Sequence, residues 1–292
     1  MPVRPGAARL DGMPPTAPDK QTLGGMALAN GLLVHGKRHW AAAVRDHEGR
    51  LVVASGRKTR LARGRLAEIP LVRGILRLGE AFAVLPAVRR GLPEARLAME
   101  DSRTGAALLA SAAVTAVARR KLPSVLAQEA VGAVSGLVPA LMALRGSRAA
   151  VWHAVEHKSI AAYEASEAGE LPDAADHAKE HDRCGSNLVL PLLITTTLAN
   201  TASRKLFPRR RLGARAGMTL VGVGAAVEVF AFATRRPEHP VSRAVHGFGH
   251  ALQAGFATRE PSAGDLLVGR AAMDALLRAE GADPRADGDT GD

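Results

Sequence analysis

The 292-residue chain has a single cysteine, six phenylalanines, two tryptophans and one tyrosine. One cysteine excludes an internal disulfide framework and any metal site built from several thiolates. So few aromatic rings argue against a platform on which nucleic-acid bases stack. Lysine is scarce too, seven of the 39 basic residues, so arginine carries the formal charge of +11. An arginine-, alanine- and glycine-heavy chain is also what GC-rich codon usage yields, and the charge does not designate a nucleic-acid partner. None is expected. At 47% hydrophobic residues the chain is too apolar for a disordered protein. Ten histidines stand beside the lone cysteine, so a bound metal would draw mainly on imidazole and carboxylate.

Residues 1–20 hold five prolines and no apolar run, which reads as a flexible leader rather than a secretory signal. Residues 278–292, with five acidic side chains and no periodicity, read as a disordered acidic tail. Between them, 21–277 is taken as one domain. Its first part, 21–56, is strand-like: Trp40 to Val44 and Leu51 to Ala54 are apolar runs around the turn sequence Asp46-His47-Glu48-Gly49. In 57–103, nine basic residues between Arg57 and Arg90 face two acidic ones. Ile69, Val72, Ile75 and Leu76 recur there at helical spacing, predicting a basic amphipathic helix suited to an anionic membrane surface.

Residues 104–277 contain four apolar stretches: Gly105–Ala118, Ser124–Leu144, Asn187–Ser203 and Leu212–Thr234. A helix needs about 20 apolar residues to cross a bilayer. By that measure the second and fourth suffice, the third is marginal and the first is short. The expected fold is mainly α: a membrane-associated bundle of about four apolar helices with a small N-terminal β element. Arg204, Lys205, Arg209, Arg210, Arg211 and Arg215 crowd the junction between the last two stretches, which the positive-inside rule places in the cytoplasm. The lipid bilayer is thus the expected partner and the cell membrane the expected location.

The chemistry is concentrated in His153-Ala154-Val155-Glu156-His157, an H-x-x-E-H pattern. On a helix, residues i and i+4 share a face, so both imidazoles can reach one ion. Glu156 projects beside them, where it could take a proton from water. A third ligand is needed, and three residues qualify. Glu228 is an acid inside the apolar run 222–232, where it demands a cation or a hydrogen-bond partner. His181 and Cys184 form H-x-x-C in His181-Asp182-Arg183-Cys184-Gly185. A second i,i+4 pair, His246 and His250, has two glycines that weaken a helix, so it is read as a loop pair.

The segments HAVEHKSIAAYE (153–164) and HDRCGS (181–186) resemble the H-G-A-E-H-K-T-I-x-x-Y-E and H-P-R-C-G-T blocks of the bacterial YqhQ-like family, a membrane-associated domain of unknown function. GGMALANGLLVHG (24–36), PLVRG (70–74), GHALQ (249–253) and TREP (258–261) are similar to further family blocks in the same order, covering about residues 22–277. Met26, Asn30, His35 and Leu267 stand where the family pattern has Gln, Glu, Arg and Glu. The resemblance implies a metal-dependent enzyme whose core (His153, Glu156, His157, His181, Cys184, Glu228) is retained. The expectation is therefore a membrane-embedded hydrolase that uses a divalent ion, zinc by its ligand set, with Glu156 as base and an unidentified substrate. The competing expectation is a scaffold or assembly factor with a closed four-ligand structural site at His153, His157, His181 and Cys184.

Overall fold

The computed structural model describes residues 21–59, 61, 64–100, 102–166, 173–207 and 212–281. The expected leader and most of the acidic tail lie outside these, as do Arg209, Arg210 and Arg211. The β element is an antiparallel meander of β1 (Gly24–Ala27), β2 (Gly31–His35), β3 (His39–Arg45) and β4 (Leu51–Arg57), in that spatial order. β3 and β4 are the two runs the sequence marks, slightly extended; β1 and β2 fall within the same strand-like region. Asn30 occupies the β1–β2 turn, donates to the carbonyls of Arg45 and Glu94, and accepts from the amide of Arg96. This departure from the family pattern is therefore a structural brace.

Both faces of the sheet are covered. β3 reads His-Trp-Ala-Ala-Ala-Val-Arg, and its small residues let helices approach closely. On one face Leu32, Val34, Ala41 and Ala43 pack with Trp152, Val155, Met273 and Leu276, from α5 (Arg148–Ala165) and α9 (Ala263–Gly281). On the other face Leu33, Trp40 and Ala42 pack with Val84, Val88 and Leu92. The basic amphipathic segment folds as two helices, α1 (Val72–Ala83) and α2 (Leu85–Gly91), with Pro86 in the first turn of the second.

The four apolar stretches become α3 (Ser102–Lys121), α4 (Val125–Leu144), α6 (Val189–Leu206) and α7 (Leu212–Arg235). α3 pairs with α4 and α6 with α7 across small residues. Ser111 Oγ donates to the Ser135 carbonyl at 2.7 Å, and Thr195 Oγ1 to that of Gly222 at 2.7 Å. Such close, hydrogen-bonded contacts are how helices associate in lipid. The bundle of four membrane helices is not sustained as such: among the described residues, α4 and α7 alone are long and apolar enough to cross a bilayer. Only 22% of each of those two apolar windows is buried, unlike the core helix of a globular domain. Leu109, Val117, Val134, Met142, Leu198 and Leu220 are exposed along this layer. α8 (Pro240–Leu252) continues as a π-helical turn, Gln253–Ala257.

Candidate metal centre

α5 is buried almost all round. Val155 and Ser159 face α9, while His153, Glu156 and His157, on the opposite side, line a cavity of about 420 Å³. β1, the inner end of α4 and the 181–186 loop complete its walls.

The hydrogen bonds of the two imidazoles fix their protons. His153 Nδ1 lies 2.9 Å from the Ala257 carbonyl and His157 Nδ1 2.5 Å from that of Lys179. A carbonyl only accepts, so each Nδ1 carries the hydrogen and each Nε2 presents a lone pair. His153 Nε2 is 3.1 Å from Cys184 Sγ. His157 Nε2 is buried without a hydrogen bond. The three potential ligand atoms of His153, His157 and Cys184 all lie within 4.8 Å of one another. Ligand atoms around a tetrahedral zinc ion are roughly 3.3–3.7 Å apart, so small side-chain adjustments suffice. Burial holds the His157 imidazole below its ordinary pKa, which keeps it in the neutral form a metal requires. The donor set fits a divalent ion of the zinc type.

Glu156 is 7% exposed and rests against Gly25, where even a methyl group would come within 2.6 Å of its carboxylate. Burial raises its pKa above the ordinary carboxylate value, against the opposing influence of His153 and His181. His181 lines the same cavity but has both nitrogens engaged: Nδ1 accepts from the Arg183 amide at 3.2 Å, and Nε2 lies 3.3 Å from Glu164. It is therefore not brought into the ligand set.

Glu228 is not brought there either. Its carboxylate takes Arg73 bidentately, at 2.7 Å through Nε and 2.5 Å through a terminal nitrogen, and also accepts from the Leu71 amide. Leu71 has φ of 69°, a conformation costly for a branched side chain, and Glu228 and Arg73 hold the chain in it where α1 meets α7. The cation this half-buried acid demands is arginine, not a metal. His246 and His250 also differ from expectation. They lie on α8, not a loop, and both contact Asp182 Oδ1, at 3.1 and 2.9 Å. Gly249 is needed in that helix because Asn187 packs directly against it.

Sequence reasoning missed the residues that hold the 181–186 loop. Gln253, fully buried, accepts from the His181 amide at 2.7 Å and donates to the His181 carbonyl and Ser186 Oγ. Asn187 donates to the carbonyls of His181 and Asp182. The amide at the end of GHALQ was the available signal. Of the departures from the family pattern, Met26 and His35 line the cavity and Leu267 is exposed on α9. Burial, then Lys58, lowers the His35 pKa to about 4.

Residues 145–279 match the family described as "Protein of unknown function (DUF1385)". The matched region runs from just before α5 into the last turn of α9 and so contains His153, Glu156, His157 and Cys184 of the candidate centre. No curated protein and no solved structure matches the chain.

Proposed function

We propose that the chain is a membrane-embedded, metal-dependent hydrolase. The observation that carries this reading is the pair of imidazoles whose Nδ1 hydrogens are tied to backbone carbonyls, with the ligand atoms of both rings and Cys184 Sγ within 4.8 Å of one another beside the cavity. His153, His157 and Cys184 would hold the ion. A zinc ion there would supply Lewis acidity and lower the pKa of a bound water toward ~7. Glu156 accepts a proton from water in the cavity and returns it to the leaving group; its raised pKa suits both steps. Three ligands with open cavity beside them favour catalysis over a closed structural site, which would need His181 as a fourth. The low burial of α4 and α7, and the exposed apolar side chains around them, support insertion of this layer in the cell membrane.

Elemental analysis of detergent-purified protein tests this. About one zinc per chain is expected in the wild type and in Glu156→Gln, and none in His153→Ala or His157→Ala. Acetohydroxamate, which chelates an ion with an open position, should bind wild type and Glu156→Gln. Loss of metal in Glu156→Gln, or no acetohydroxamate binding by a metal-loaded wild type, would refute the reading. Recovery of the whole protein in the supernatant after detergent-free lysis would refute membrane insertion.

A further inference from the structure

The register of β1 identifies what the cavity is shaped to receive. The Leu28 amide donates to the Gly31 carbonyl across the β1–β2 turn. In an antiparallel pair, hydrogen-bonded and non-bonded pairs alternate. Counting back along the register, Met26·Leu33 and Gly24·His35 bond inward, and Gly25 and Ala27 point their N–H and C=O groups away from β2. β1 is an edge strand, and among the described residues no hydrogen bond reaches Gly25 or Ala27 from that side. Gly24, Gly25, Met26 and Ala27 all line the cavity. A cavity lying over one face of a strand would meet every second residue; four in succession means it runs along the edge.

We propose that the substrate is a polypeptide in extended form, added as a strand along the free edge of β1 and cleaved at an amide bond. This rests on the hydrolase reading above and names its substrate class. Unpaired backbone groups aimed into a cavity recognise a partner that offers alternating N–H and C=O groups at the same spacing, as another extended chain does. The position is apt, because Gly25, one of the two outward-facing residues, touches Glu156. Glu156 covers the sheet face at Gly25, so a peptide group paired at its edge, about 5 Å away in the sheet plane, would be the nearest one to the base. The absence of a side chain at Gly25 is what permits this approach. Opposite β1, Leu137, Leu141 and Leu144 of α4 and Ile160 of α5 form an apolar wall for the added strand's side chains. The reaction is balanced with water alone: its oxygen bonds to the carbonyl carbon, the C–N bond breaks, and the proton held by Glu156 passes to the amine.

The test measures binding to zinc-loaded, detergent-solubilised full-length protein by calorimetry. Three probes are used: acetohydroxamate, a succinyl hydroxamate carrying Leu-Ala-amide, and the same peptide hydroxamate N-methylated at its backbone amides. The peptide compound is expected to bind at least tenfold more tightly than acetohydroxamate, and N-methylation, which removes the strand-pairing donors, should erase that gain. Ala27→Pro, which deletes an outward N–H on an edge strand where proline is tolerated, should erase it too, with acetohydroxamate binding reporting an intact centre. An N-methylated compound as tight as its parent would overturn the proposal whether or not Ala27→Pro folds. A peptide compound no tighter than acetohydroxamate would overturn it as well, pointing to a small or lipid-like substrate. Failure of acetohydroxamate itself would instead refute the metal-site reading.

Discussion

Gly269→Ala tests the packing that holds the candidate metal centre in place. Gly269 lies on α9 at its contact with α5, and a Cβ there would come 2.6 Å from Val155 Cγ1 and closer still to Ser159 Oγ. The two neighbours respond differently. The Ser159 hydroxyl is buried without a hydrogen bond and can rotate away. Val155 is fully buried and β-branched on a helix, where one rotamer dominates, so it cannot. Overpacking of this kind costs about 1–3 kcal/mol, and the immobile valine puts this site near ~2. For a large domain that corresponds to a fall in Tm of roughly 4–8 °C. The assay is thermal unfolding in detergent of Gly269→Ala, Val155→Ala and the double variant. Removing the valine methyls should relieve the clash, so the double variant should lose less than the sum of the singles by about 1 kcal/mol. A Gly269→Ala Tm within a degree of wild type, or strict additivity, would refute the packing argument.

Three further outcomes are expected. Glu228→Gln should leave zinc content unchanged, because the acid pairs with Arg73 and not with the centre; its stability cost should be about 1 kcal/mol, since both partners are partly exposed. Elemental analysis and thermal unfolding check both parts, and loss of metal would show that Glu228 reaches the ion after all. Gln253→Leu should weaken zinc retention against a chelator about 10–100-fold by freeing the loop that carries Cys184, with His153 and His157 untouched. Retention equal to wild type would remove Gln253 from the support of the site. Asp265 caps α9 with Ser262 and pairs with Arg148 at 2.6 Å; burial opposes its ionisation, but these partners together hold its pKa below the ordinary value. Its stabilising contribution is therefore complete above a pH of about 3.9 and lost as pH falls through the depressed value. Wild type should lose more stability than Asp265→Asn on acidification through that window, and parallel curves would refute the assignment.

The sheet and the helices were largely legible because period and length carry them locally. The apolar runs on either side of Asp46–Gly49 mark β3 and β4, and the i,i+4 spacing of His153 and His157 puts them on one face of α5 wherever that helix goes. Tertiary partnership was not legible. Both Glu228 and Cys184 satisfied the same demand as a third ligand, and nothing local says that Arg73, 155 positions away, claims the acid first. His246 and His250 were misread because Gly247 and Gly249 lower helix propensity, whereas packing against Asn187 requires a residue without a side chain at 249. In each case a long-range contact overrode a correct local argument.

That pattern bears on how the centre is built. Each Nδ1 of His153 and His157 is held by a carbonyl outside regular α-helix: Ala257 at the end of a π-helical turn, and Lys179 in the irregular segment before the cysteine loop. A carbonyl where the α-helical ladder is interrupted lacks its usual amide partner and is well placed to accept from an imidazole. The π turn after α8 supplies two supports at once, since the same five residues contain Gln253, which anchors the loop bearing Cys184, and Ala257, which orients His153. A register change in that turn would therefore disturb two of the three candidate ligands together. The same π-helical turn thus holds a buried, hydrogen-bonded Gln253 against the cysteine loop and the Ala257 carbonyl against His153.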